Sequence, residues 1–221
     1  MGFLANPTLS ELILTAITFL IAMTVHEFAH AYVAYRMGDT TARDMGRMTL
    51  NPFVNINWYG MLMAIVIGFG FLGSAPVNEY RMRNRRWGML AAVLAGPVSN
   101  LLLAIVCAIP FWLGMKFEFS SSNTYIPTIQ SFFGRMVYLN LILFLFNLIP
   151  LYPLDGWTIL LKLVPPETGY VLARYQRESM YIFYALIFLS FVGVNVFLLV
   201  IGPPLNFLFN LLIPFRAFAG F

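Results

Sequence analysis

The sequence predicts an all-α integral membrane protein, a polytopic bundle of about five to six transmembrane or re-entrant segments. Three observations predict this class: the 221 residues are 60% hydrophobic and only 10% charged, their mean hydropathy is positive, and long apolar runs alternate with arginine-rich loops. A soluble domain typically carries about 25% charged residues. Because no linker, low-complexity tract or internal repeat divides these runs, we expect a single intramembrane domain over residues 1–221.

The first apolar run, Leu9 to Tyr35, lies between two helix breakers, Pro7 and the pair Gly38-Asp39. At a rise of 1.5 Å per residue, its 27 residues are long enough to cross a hydrocarbon core of about 30 Å. The next run, Trp58 to Leu72, is short and interrupted by three glycines. The first run therefore predicts a transmembrane helix, whereas the second fits a re-entrant segment as well as a full span.

Two further spans are predicted in the middle of the chain. The run from Trp87 to Met115 is one of them, although its Pro97 frees a backbone carbonyl that neighbouring helices or water must satisfy. The run MVYLNLILFLFNLI is the other, and it meets Pro150 and Pro153. Because proline removes a helical hydrogen bond, we expect the helix to unwind there and to present Asp155 from irregular backbone.

The carboxyl-terminal part of the chain predicts a last span from Ser179 to Ile201. This span is expected to stop at Gly202-Pro203-Pro204, which combines a flexible residue with two that lack an N–H. The remaining tail, residues 206–221, is apolar and predicts a short membrane or interfacial helix.

The loop before the second clear span predicts the orientation of the protein. It holds four arginines within six residues: Arg81, Arg83, Arg85 and Arg86. Cytoplasmic loops are enriched in such residues, so we place this loop in the cytoplasm and the charge-poor loop 116–127 outside. The net charge of +4 arises from these short loops, and this pattern predicts contact with a lipid bilayer and no nucleic-acid partner.

The residues His26-Glu27-Phe28-Ala29-His30 lie in the last third of the first span. Ionisable groups are costly in a bilayer and usually mark a functional site. Residues four apart share one face of a helix, so His26 and His30 can direct their imidazoles at one metal ion, with Glu27 beside them. A catalytic zinc takes three protein ligands and a water, and a glutamate that does not bind the metal accepts the proton of that water.

The third zinc ligand must be a carboxylate, because these are the only two histidines in the chain, and the single cysteine, Cys107, cannot build a thiolate cluster. Asp155 is the one acid within an apolar stretch after the motif, and it lies beside helix breakers. Glu11 lies on the same span as the motif, but roughly 22 Å along the helix from His26, too far to bind the same ion. The remaining glutamates lie in polar loops or at the ends of spans. The sequence therefore predicts a site of His26, His30 and Asp155.

Two alternatives fit the sequence less well. In one class of membrane zinc proteases a glutamate on a following helix is the third ligand, and no downstream glutamate lies in an apolar helix here. A metal transporter or inactive scaffold would use the same three ligands but has no need of a general base next to them, and Glu27 is retained.

The pair of motifs HEFAH, residues 26–30, and NLIPLYPLDG, residues 147–156, resembles the site-2 protease family of intramembrane zinc metalloproteases. The resemblance covers most of the chain and includes LNP at 50–52, APVN at 75–78 and AGPVSN at 95–100. These segments are similar to accessory motifs of the small bacterial and archaeal members without PDZ or CBS domains. The resemblance thus implies a multi-pass protein, expected in a prokaryotic cell membrane, that cleaves a transmembrane protein substrate.

Residue by residue, the resemblance implies that His26, His30 and Asp155 bind one Zn²⁺ and that Glu27 is the general base. It also implies that Asn147 stabilises the oxyanion, although an amide in a membrane helix equally fits a hydrogen bond between helices. We interpret two further amides, Asn78 and Asn100, as caps or braces of the backbone. The chain departs from many small relatives after LNP, where Asn55 and Asn57 replace a histidine and an aspartate. The substrate's identity and the oligomeric state do not follow from the sequence.

Overall fold

The structure is a computed structural model that describes residues 9–55, 75–114 and 129–213. All regular structure in these residues is helical, so the prediction of an all-α protein is confirmed. In chain order the helices are α1 (Leu9–Arg36), α2 (Thr41–Asp44), α3 (Pro52–Asn55), α4 (Arg85–Trp112), α5 (Ile129–Asn147), α6 (Asp155–Leu163), α7 (Pro166–Ala173), α8 (Gln176–Phe191) and α9 (Val196–Leu212). A short 3-10 helix, Glu79–Arg81, precedes α4.

Three of the described helices, α1, α4 and α5, are long and apolar enough to cross a membrane, and α8 with α9 forms a bent pair that also qualifies. The 28 residues of α1 and of α4 correspond to about 42 Å of helix, more than the hydrocarbon thickness. The chain is therefore an integral membrane protein, and its first two clear spans begin and end within three residues of the predicted limits. The segment from Trp58 to Leu72 and the loop 116–127 lie outside the described residues.

The predicted last span is wrong in its limits. Instead of one helix that stops at Gly202-Pro203-Pro204, α8 ends at Phe191 and α9 continues through both prolines, with a bend of 86° between the two helices. Gly193 adopts a φ of 96°, which favours glycine and ends a helix. Asn195 then caps α9 by accepting a hydrogen bond of 2.9 Å from the N–H of Leu198. Residues 206–212 of the tail thus belong to α9.

The predicted break after the third long helix is confirmed. Helix α5 ends at Asn147, residues 148–154 are not helical, and α6 begins at Asp155. Asp155 is therefore the first residue of a helix, not part of the irregular backbone as predicted. Gly156 allows the unwound chain to fold back closely, because a Cβ there would overlap the backbone carbonyls of Leu148 and Ile149. The break thereby places the start of α6 inside the helix bundle.

Helix α4 lies at the centre of the bundle and packs against α1, α5 and α6. Its contact with α1 includes small residues: Ala34 of α1 and Ala92 of α4 are fully buried and pack in one cluster. Small side chains let membrane helices approach closely. On its other side α4 contributes to the largest buried apolar cluster, which it shares with α5, α9 and Ile213: Ala104, Cys107, Ala108, Phe111, Met136, Val137, Leu141, Leu205, Leu212 and Ile213.

Helix α6 is anchored at its far end by residues from the start of α4. The guanidinium of Arg86 donates to the carbonyls of Lys162, Leu163 and Val164 at 2.9, 3.2 and 2.9 Å. Lys162 also forms an ion pair with Glu79 of the 3-10 helix. A cation that binds the last carbonyls of a helix satisfies acceptors that have no partner within it. Arg86 therefore fixes the carboxyl-terminal end of α6, and this contact helps to position Asp155 at the start of the same helix.

The orientation of the bundle is testable with cysteine labelling. The end of α1 and the start of α4 lie together, because the N–H of Arg83 donates to the carbonyl of Met37 at 2.9 Å, whereas Leu113 lies at the opposite end of α4. In a Cys107→Ser background, which removes the single cysteine, we expect an impermeant maleimide to label Leu113→Cys in intact cells. Arg83→Cys is expected to react only after the cytoplasmic face is opened. The reverse pattern would contradict the predicted topology.

Candidate metal centre

The two histidines of the HEFAH motif lie on one face of α1, and both are buried. Their spacing of four residues places the rings one turn apart, with 4.5 Å between ring centroids and nearly perpendicular planes. The Nε2 atoms of His26 and His30 are 2.9 Å apart. Both imidazoles thus direct the same ring atom at one point, as the sequence spacing predicted.

Asp155 completes this group from the start of α6. Its Oδ2 lies 3.2 Å from Nε2 of His26 and 3.3 Å from Nε2 of His30. The three atoms therefore form a nearly equilateral triangle. A tetrahedral zinc with bonds of 2.0–2.1 Å separates its ligand atoms by about 3.3 Å, so the spacing fits this metal. The structure brings together all three predicted ligands, from two helices more than 100 positions apart in the sequence.

The proton positions of the two imidazoles support a cation at this point. Nδ1 of His30 donates to the carbonyl of Ala92 at 2.8 Å, and Nδ1 of His26 donates to Oδ1 of Asn100 at 2.6 Å. Because a carbonyl oxygen only accepts, each Nδ1 holds the proton and each Nε2 presents a lone pair. Oδ2 of Asp155 is buried and accepts no hydrogen bond. Two Nε2 atoms and a carboxylate oxygen therefore converge here, and a divalent cation satisfies all three.

A glycine of α4 makes room for the two imidazoles. A Cβ at Gly96 would overlap Nε2 of His30 and would lie 2.7 Å from Cε1 of His26. Only a residue without a side chain lets α4 pass this close to the ring atoms of the site. This close approach is a physical reason for the glycine in the AGPVSN motif.

Glu27 is buried beside the two histidines and is oriented by the main chain of a distant segment. Its Oε2 accepts a hydrogen bond of 2.7 Å from the N–H of Ala75, the first residue of the APVN motif. A carboxylate also binds the backbone at the other end of that motif: the N–H of Asn78 donates to Oδ2 of the buried Asp39 at 2.6 Å. Asn78 itself caps the 3-10 helix by accepting from the N–H of Tyr80, which agrees with the interpretation of this amide as a cap.

Asn147 and Asn55 are both engaged with the backbone. Asn147 is the last residue of α5, and its Nδ2 donates to the carbonyl of Leu143 in the same helix at 3.0 Å. A role for Asn147 at the oxyanion stays a prediction. Nδ2 of Asn55 donates to the carbonyl of Arg47 at 3.1 Å and so braces the chain after α1, while Asn57 lies outside the described residues.

Two buried amides next to the site have contacts that the sequence did not predict. Asn100 does brace the backbone, as the sequence predicts, because its Nδ2 donates to the carbonyl of Ala22 at 3.2 Å; its Oδ1 also contacts His26, which the sequence did not indicate. Asn140 did not stand out in the sequence. Its Oδ1 accepts a hydrogen bond of 2.9 Å from Nδ2 of Asn100, so it contacts the proposed metal ligands only through Asn100. The clue in the sequence is an amide in the middle of an apolar helix, which is costly in a membrane unless it has a partner.

Comparison with known proteins agrees with this geometry. Residues 14–125 and 113–190, which together span most of the chain, match the sequence model of peptidase family M50. The chain belongs to this family. Among M50 relatives, YwhC of Bacillus subtilis is 39% identical over 86% of this chain and 84% of YwhC, and Rip2 of Mycolicibacterium smegmatis is 30% identical over 94% of this chain and 74% of Rip2. Both carry the name "Putative zinc metalloprotease", and no solved structure matches the chain.

Membership of M50 confirms the resemblance to site-2 proteases and identifies the chain as a zinc metalloprotease of the membrane. The transporter and scaffold hypotheses are therefore not needed. Within the described residues, the carboxylate that meets the two histidines is that of Asp155, which also argues against a glutamate as the third ligand.

Proposed function

We propose that this M50 protein is an intramembrane endopeptidase that hydrolyses a peptide bond within or near a transmembrane segment of another membrane protein. The observation that supports this proposal best is the convergence of two imidazole nitrogens and a carboxylate oxygen within 3.3 Å of one another, inside a bundle of membrane-spanning helices. The bacterial relatives support a prokaryotic cell membrane as its location. All of the chemistry is proposed to lie in one domain over residues 1–221.

In this proposal His26, His30 and Asp155 hold one zinc, and Glu27 is the general base. When bound, the zinc acts as a Lewis acid that polarises the scissile carbonyl and lowers the pKa of a water toward 7. One oxygen of Glu27 accepts from the N–H of Ala75, which leaves Oε1 to accept a proton from the attacking water and to return it to the leaving amine. The fixed carboxylate therefore needs no reorientation between the two proton transfers.

The depth of the site limits where the substrate is cleaved. His30 lies six residues before Arg36, the end of α1, or about 9 Å along the helix axis. We therefore place the metal near the cytoplasmic end of the span. A helical peptide bond is shielded by its own hydrogen bonds, so the substrate segment must unwind before Glu27 and the metal ligands can act on it.

Metal content tests the proposed ligand set. The purified protein is expected to hold about one zinc per chain, and Asp155→Ala is expected to lose most of it, because two imidazoles alone leave the ion under-coordinated. The measurement is zinc per chain by elemental analysis after dialysis in detergent. Asp44→Ala is the matched control, since it removes an exposed carboxylate that pairs with Arg81 outside the site. Full zinc retention by Asp155→Ala would overturn the assignment of this ligand.

Proteolysis itself is measured with the full chain reconstituted in liposomes together with several single-span substrate proteins. The products are identified by mass spectrometry, and we expect zinc-dependent cleavage within or next to the transmembrane segment. Cleavage confined to soluble loops far from the membrane would contradict an intramembrane endopeptidase.

A further inference from the structure

We propose that Asn100 and Asn140 are positioning residues that fix the proton and the orientation of His26 as a zinc ligand. They form a directed chain of hydrogen bonds that begins on the backbone of α5, passes through α4 and ends on the imidazole in α1. This inference rests on the proposed function only in that His26 must bind the metal.

The hydrogen-bond chain begins at Asn140, whose side chain is completely buried on α5. Its Nδ2 donates to the carbonyl of Met136 at 2.8 Å. Because a backbone carbonyl only accepts, this bond fixes which end of the amide is the donor. Oδ1 of Asn140 is thereby turned toward α4 as an acceptor.

The second link is Asn100, which is also completely buried. Its Nδ2 donates to Oδ1 of Asn140 at 2.9 Å and to the carbonyl of Ala22 at 3.2 Å. Both acceptors fix the same orientation of the amide, and together they use both of its hydrogens. Oδ1 of Asn100 is the end that remains, and it faces His26.

The last link sets the tautomer of His26. Oδ1 of Asn100 has no hydrogen to give, so at 2.6 Å it requires that Nδ1 of His26 be the protonated nitrogen. Nε2 then carries the lone pair, and it points at His30 and Asp155. Partners behind a metal-binding histidine typically change metal affinity 10- to 100-fold when they are removed. Asn100 and Asn140 thus act on zinc without touching it.

The test measures zinc affinity of the purified full-length protein by chelator competition in detergent. Asn100→Leu, similar in size but unable to accept, is expected to weaken zinc binding about 10- to 100-fold. Asn140→Leu is expected to have a smaller effect, because the carbonyl of Ala22 still holds Asn100. The double variant is expected to match Asn100→Leu, since Asn140 acts only through Asn100. If the double variant loses zinc affinity by the product of the two single losses, the proposed hydrogen-bond chain is wrong.

A second readout separates positioning from general packing. We expect the visible absorption of the cobalt-loaded protein to change in Asn100→Leu, because a freed imidazole alters the ligand geometry. Thr18→Val is the matched control: Thr18 is equally buried on α1, but its hydroxyl bonds to Leu14 and Thr15 of its own helix. The control is expected to keep both the zinc affinity and the cobalt spectrum of the parent. If Asn100→Leu does not fold, Asn140→Leu carries the same test.

The outcomes distinguish this inference from the proposed function. Weak zinc binding by the parent, or unchanged binding by His26→Ala, would contradict the proposed metal site. If His26→Ala weakens binding while Asn100→Leu and Asn140→Leu keep the affinity and the cobalt spectrum of the parent, the site stands and the positioning role is wrong.

Discussion

Replacing Glu27 with glutamine is expected to lower the cleavage of a single-span substrate in liposomes by about 10²- to 10⁴-fold, the usual contribution of general-base catalysis. The amide keeps the size of the side chain, and its oxygen still accepts from the N–H of Ala75. It does not accept a proton from water. Zinc content and folding in detergent are therefore expected to equal those of the parent.

The measurement is the rate of product formation at matched enzyme and zinc concentrations. Glu167→Gln is a suitable control, because Glu167 is an exposed glutamate in the first turn of α7, outside the site. Parental cleavage by the Glu27→Gln variant would show that the base is another group. If the parent itself cleaves none of several substrate helices, the proposed endopeptidase is wrong.

Gly96→Ala is expected to weaken zinc binding and to reduce cleavage by about 10²-fold, the loss of rate that a 1 Å displacement of reacting groups can produce. The added methyl overlaps Nε2 of His30, a proposed metal ligand, and crowds the ring of His26. Either α4 moves away from α1 or the two imidazoles rotate, and both changes break the triangle of ligand atoms.

The matched control for this variant is Gly134→Ala on α5. A Cβ at Gly134 finds its nearest neighbour, the ring of Phe111, at 4.0 Å, so it fits without movement. We expect this control to bind zinc and to cleave substrate as the parent does. If Gly96→Ala binds zinc as tightly as the parent does, α4 can move away without disturbing the site, and the prediction is wrong.

The three residues of the candidate metal site were predictable from residue spacing and hydropathy. A spacing of four residues fixes two histidines on one helical face, and the scarcity of acids in apolar stretches leaves Asp155 as the partner. Gly96, Asn100 and Ala75 were not predictable in the same way. Their roles depend on which helices pack against each other. The resemblance of AGPVSN and APVN to family motifs marks their positions, but hydropathy and helical spacing do not show what these residues contact.

The spans were predictable from hydropathy, but the ends of the last helices were not. Proline predicts the end of a helix, yet α9 continues through Pro203 and Pro204, because membrane helices satisfy the freed carbonyls in other ways. The true end of α8 depends on the positive φ of Gly193, and a backbone angle of this kind is not visible in composition.

The hydrogen bonds that orient the HEFAH side chains differ in how they respond to genetic change. Glu27 and His30 are held by main-chain atoms, the N–H of Ala75 and the carbonyl of Ala92. Every amino acid supplies that carbonyl, and every amino acid except proline supplies that N–H. A mutational screen that replaces side chains one at a time would therefore overlook both contacts, whereas a single codon change at Asn100 alters the hydrogen bond to His26.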